Sequence, residues 1–101
     1  MATFRNRTGQ PLLLVTWSSE PDGAPPQLRT GRVAASATVA LLGSASGEWA
    51  VYLEDPYIRI GTVWAEGARS SRADTFGVER FAPPGGAAYY VAWARPAVVR
   101  A

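Results

Sequence analysis

Catalysis near neutral pH needs a group that can attack, exchange a proton or hold a metal, and this chain is short of all three. It contains no Cys, no His and no Lys. A Ser-His-Asp triad, a thiolate nucleophile, a Schiff base, a P-loop lysine and the usual zinc or transition-metal sites are therefore excluded. Chemistry would fall to hydroxyls, Tyr, ten basic residues that are all Arg, and eight carboxylates. Glu54 and Asp55 are adjacent, but neighbours on a strand point to opposite faces and do not share a site. Before Pro56 they act as solvated turn residues, and Asp74 and Glu79 flank another short strand in the same way. Asp22-Gly23 is turn chemistry with too few oxygen ligands nearby for calcium. The expectation is no catalytic residue, no metal and no cofactor. A small hydrolase using Glu54 or Asp74 is the least favoured reading.

Aromatic side chains offer more. The chain has four Trp, four Tyr and three Phe. An indole carries an N–H that needs a partner, so Trp suits half-buried positions and is common at interfaces and ligand grooves. Trp49, Trp64 and Trp93 fall on the expected inward phase of their strands, where they would fill a core. Trp17 ends a strand just before a proline-rich loop, where a side chain lines a mouth. A groove formed by Trp17, Trp49, Tyr52 and Tyr57, with Arg59 as polar anchor, is the candidate binding site. Asn6-Arg7-Thr8 also matches the N-glycosylation acceptor pattern, which needs a surface position and a secretory route. Turn formation is the preferred reading of that tripeptide.

These residues must be positioned by one small domain spanning 1–101, because 101 residues provide for a single core and not for two. With 48% hydrophobic and 18% charged residues, the chain can bury enough apolar surface to offset its ordering entropy. Net charge is only +2, and the arginines are scattered from Arg5 to Arg100, so no basic stripe matches a row of phosphates. Nucleic acid is not an expected partner. No apolar run approaches the length of a bilayer span, and the first ten residues lack the apolar core of a secretory signal. The expectation is a cytoplasmic protein with no membrane partner.

Short alternating runs separated by Gly and Pro predict strands. Residues 3–7 alternate, and Thr8-Gly9-Gln10-Pro11 suggests a hairpin to residues 12–18, a run apolar on both faces. Residues 20–26 hold three prolines and a glycine and predict a loop. Thr30-Gly31 suggests a turn, followed by one strand over 32–42 with Val33, Ala35, Ala37, Val39 and Leu41 on one face. Trp49, Val51 and Leu53 alternate inward along the next strand. Residues 57–65 place Ile58, Ile60, Thr62 and Trp64 opposite Tyr57, Arg59 and Gly61. A polar loop over 66–73, a strand over 75–81 and a final strand with Tyr89, Val91 and Trp93 inward complete the chain. The fold class predicted is all-β, a small antiparallel β-sandwich of about seven strands.

Read from Phe4, the order is F-x-N-R-T, an apolar run, Val15-x-Trp17, Asp22-Gly23-x-Pro25, Leu28-x-x-Gly31, and later Gly47-x-Trp49 before Asp55. Over this first half the chain resembles the β domain of the von Hippel-Lindau tumour suppressor family. The resemblance implies a β-sandwich that binds an extended peptide, in that family one bearing hydroxyproline, with Trp17 and Trp49 as two pocket walls. Gly47 stands where the family pocket has a histidine, and Pro25-Pro26-Gln27 where its preceding loop has a tyrosine. The function expected is a non-catalytic protein- or peptide-binding module, acting through a strand edge or the aromatic groove. It could also self-associate as a homo-oligomer. Carbohydrate binding is the alternative.

Overall fold

The computed structural model describes residues 2–18, 27–41 and 47–96. The proline-rich loop expected over 20–26 lies outside them. Nine strands follow in chain order: β1 (Thr3–Arg7), β2 (Leu12–Ser18), β3 (Gln27–Val33), β4 (Thr38–Ala40), β5 (Trp49–Leu53), β6 (Arg59–Trp64), β7 (Gly67–Ser70), β8 (Phe76–Phe81) and β9 (Tyr89–Ala94). They form a four-stranded sheet in the order β4-β1-β9-β8 and a five-stranded sheet in the order β3-β2-β5-β6-β7. The fold is an all-β sandwich. Its pairing is antiparallel throughout except for β1 and β9, the first and last strands, which run parallel. No helix long and apolar enough to cross a membrane occurs among the described residues.

Both sheets contribute to one core. Phe4, Phe76, Val78, Tyr90 and Ala92 from the four-stranded sheet meet Leu12, Leu14, Val33, Val51, Ile60 and Val63 from the other. Alternation along β2 is the clearest local cause: Leu12, Leu14 and Thr16 are buried, while Leu13 and Val15 are half-buried and Trp17 is exposed on the opposite face. Burying this many branched side chains, each worth about 1.5–3 kcal/mol, is what holds the two layers together.

Several expected elements are built differently. β1 and β2 do not form a hairpin, because they belong to different sheets. The turn between them is organised by Asn6, which is fully buried. Its amide Nδ2 donates to the carbonyls of Gln10 (2.7 Å), Val33 (3.3 Å) and Ala34 (3.2 Å). Its Oδ1 accepts from the Thr8 amide (3.0 Å) and hydroxyl (2.7 Å). A side chain so enclosed offers no acceptor for glycosylation.

Residues 32–42 are not one strand either. Thr30 and Gly31 lie within β3, which ends at Val33. The turn that follows has Ser36 at a left-handed φ of 67°, and the Ala37 amide donates to Ala34 at 3.0 Å. That turn carries the chain across to β4 in the other sheet.

The expected polar loop over 66–73 contains β7, pinned to β6 through four residue pairs. Pairing with a buried neighbour overrides its weak apolar pattern.

The inward phase expected for the last strand is reversed: Tyr90 and Ala92 enter the core. Trp93 instead pairs with Gly77, and a Cβ placed on Gly77 would fall 2.2 Å from the indole. Trp64 pairs with Gly67 on the outer side of the five-stranded sheet in the same manner. Each indole covers the bare backbone of a strand glycine, a known way of repairing the packing that glycine lacks. Of the four tryptophans, Trp49 alone packs against the core.

Candidate functional site

Two places gather residues suited to binding, on opposite sides of the five-stranded sheet. The first is the outer face. Register sets Leu13 and Val15 of β2 beside Tyr52 and Ala50 of β5, and Ala50 beside Thr62 of β6. A β-bulge then decides the position of Arg59. Val51 pairs with Gly61 and Tyr52 with Arg59, leaving Ile60 as the extra residue of β6. Ile60 and Gly61 are both buried, so the phase flips and Arg59 emerges on the same side as Thr62 and Tyr52. The Arg59 guanidinium donates to the Thr62 hydroxyl. Without the bulge, the expected alternation would have held Arg59 and Thr62 on opposite faces.

Tyr57 joins this face by stacking on Tyr52, with ring centroids 4.5 Å apart and planes within 5°. Trp17 pairs with Leu28 across β2 and β3. Trp17, Leu28 and Tyr57 are 64%, 53% and 61% exposed, large values for apolar side chains in a small domain. Between Trp17, Tyr52, Arg59 and Glu48 lies a shallow cleft of about 320 Å³ floored by Ala50 and Val15. Four of the five expected site residues thus share this face.

Trp49 does not. It lies on the inner side of the same sheet and lines a second cleft, about 270 Å³, between β3 and β4. Trp17 and Trp49 are therefore not two walls of one pocket, as the resemblance implied, because the sheet separates them. Leu14 and Val33 form one wall of this second cleft and Val39 and Leu41 the other. Gly31 pairs with Leu14, so its missing side chain would have pointed into the space; a Cβ placed there meets nothing within 4 Å. β3 and β4 are each the end strand of their sheet. Their outer main-chain groups have no strand partner among the described residues.

The sequence named Trp49 both as a core residue and as a wall of the aromatic groove, and placed Val39 and Leu41 on one face of an expected strand, without bringing the three together. Gly31 carried no signal, since a lone Thr-Gly step looks like a turn until its neighbours are known to pair. The one ion pair among the described residues, Arg32 to Glu54 at 2.8 Å, crosses β2 in the open. No protein-family model, curated protein or solved structure matches this chain.

Proposed function

We propose that the protein is a non-catalytic peptide-binding module whose ligand is an extended segment seated at the cleft between β3 and β4. The observation that carries this reading is the coincidence of an apolar cavity with two strand edges that pair with nothing further among the described residues. An extended peptide laid along such an edge gains main-chain hydrogen bonds, and every second side chain points toward the sandwich interior. One bulky apolar side chain would fill the space beside Gly31, against Leu14 and Trp49. β3 is the longer template, with seven residues against three in β4. It carries no carboxylate, and of its two arginines Arg32 is already paired with Glu54 while Arg29 has no ion-pair partner among the described residues, which favours an acidic residue on the ligand near Arg29.

The resemblance to the von Hippel-Lindau β domain supports peptide recognition in general. With Trp17 on the far side of the sheet, it does not extend to hydroxyproline held between two indoles. A cytoplasmic location belongs to the same reading and is checked by cell fractionation.

The test is selection from a library of displayed decapeptides, followed by calorimetric titration of the enriched peptides. Enrichment of an alternating pattern with one bulky apolar residue, lost when Gly31→Val fills the cleft, supports the reading. Binding that survives Gly31→Val overturns it. Size-exclusion elution across a range of concentrations reports the competing occupant: concentration-dependent association abolished by Gly31→Val would assign the cleft to a second copy of the chain.

A further inference from the structure

The outer face of the five-stranded sheet differs chemically from the cleft just described. We infer that its cleft, between Trp17 and Tyr52 with Glu48 and Arg59 at its rim, is a second binding site that takes a neutral saccharide.

Three observations select this class of ligand. The first is main-chain accessibility. β2, β5 and β6 are interior strands, paired on both sides, so this face offers no strand edge and an extended peptide would find no ladder to join. Recognition here must come from side chains.

Charge is the second. The cleft holds one carboxylate, Glu48, and one guanidinium, Arg59, and the two are not joined in an ion pair. An anionic ligand would face Glu48 and a cationic one Arg59, so a neutral ligand suits both. The ligand should also supply donors for the carboxylate and acceptors for the guanidinium, which hydroxyl groups do together. Arg59 is already oriented by its bond to the buried Thr62 hydroxyl, so less freedom is lost when it binds.

The third is aromatic geometry. Tyr57 lies parallel on Tyr52 and is 61% exposed, and the indole of Trp17, which lines the same cleft as Tyr52, is 64% exposed. The faces of these rings are electron-rich. The axial C–H bonds on one side of a pyranose ring carry partial positive charge, and the hydroxyls project around its edge. An aromatic wall with polar groups at its rim is complementary to that arrangement.

The experiment titrates the full chain with cellohexaose, maltohexaose and mannohexaose, following intrinsic tryptophan fluorescence and calorimetry, with an anionic oligogalacturonate as comparison. Saturable binding of at least one neutral hexasaccharide is expected, weakened roughly tenfold or more by Trp17→Ala and unchanged by Gly31→Val, which alters only the other side of the sheet. Trp17 is exposed, so its replacement leaves the core intact; an unchanged circular dichroism spectrum and denaturation midpoint verify this. Arg59→Met should weaken the same complex while preserving the aliphatic stem. Absence of saturable binding to all three neutral sugars overturns the inference. So does binding indifferent to Trp17→Ala, or a preference for the anionic oligosaccharide.

Discussion

At one margin of the sandwich β7 and β8 lie directly against each other, and at the other β3 and β4 stand apart around a cleft. Both margins contain an inward-facing strand glycine, and the two glycines do opposite things. A Cβ on Gly61 would fall 2.6 Å from the Arg69 carbonyl and 2.7 Å from Val78 Cγ2; its absence lets the sheets close. At Gly31 the missing Cβ leaves open space. The closed margin is also stitched by polar contacts: the Val78 amide, on the outer edge of β8, donates to the Ser70 hydroxyl of β7 at 2.9 Å, and the Tyr90 hydroxyl donates to the Trp64 carbonyl. Chain connectivity explains part of the contrast. β7 and β8 are consecutive, joined by a short turn in which the Phe76 amide donates to the Arg72 carbonyl at 2.7 Å. Covering both edges there removes an aggregation hazard, whereas edges left open elsewhere are where a partner strand can add.

The open margin does have one strong tie, and removing it should have the largest effect of any single change. Asn6→Ala would take a donor from the Val33 carbonyl and the acceptor from the Thr8 amide, and leave the Gln10 and Ala34 carbonyls with only the Thr8 hydroxyl and the Ala37 amide. With two orphaned buried groups costing about 1–3 kcal/mol each and partial relief from water, we expect a loss of roughly 2–4 kcal/mol, read as a lower urea midpoint. Gly61→Ala attacks the closed margin. It forces the β6 backbone away from Val78, costing about 1–3 kcal/mol. An unchanged midpoint would show that this margin is looser than its contacts imply.

The matching change at the open margin has the reverse sign. Gly31→Val adds a β-branched side chain to a strand with room for it and should raise stability by about 0.5–1 kcal/mol, while closing the cleft to ligand. Stabilisation without loss of peptide binding would separate the cavity from recognition. The smallest effect belongs to Arg32→Ala. It removes an ion pair between side chains 55% and 38% exposed; a loss of about 0.5 kcal/mol or less is expected, shrinking further in high salt.

How legible these margins were depends on the type of signal each residue gives. Period-two alternation around Trp49, Val51 and Leu53 was unambiguous, because one face of that strand is apolar and the other is not. Tyr89–Ala94 gave no such guidance. It is apolar on both faces, and the choice between Tyr90 and Trp93 for the core was made by Gly77, a residue twelve or more positions away that the indole covers. β7 was invisible because Gly67–Ser70 has little intrinsic strand preference and is ordered by its pairing with β6. Arg59 was named as a site residue, yet its companions depended on a bulge at Ile60, whose one local trace in the sequence is the neighbouring strand glycine Gly61.

By itself, then, the chain determined what it lacks and what it repeats. Without Cys, His or Lys it cannot form thiolate, imidazole or Schiff-base chemistry, and its short apolar periods, broken by Pro and Gly, commit it to layered sheets. These are local properties, decided by residue type and by neighbours within a few positions. The distribution of strands between sheets, the separation of Trp17 from Trp49, and the conversion of one glycine into a contact and another into a cavity were decided only in three dimensions. They depend on which strands meet, and pairing between strands as distant as β1 and β9 leaves no local trace in either.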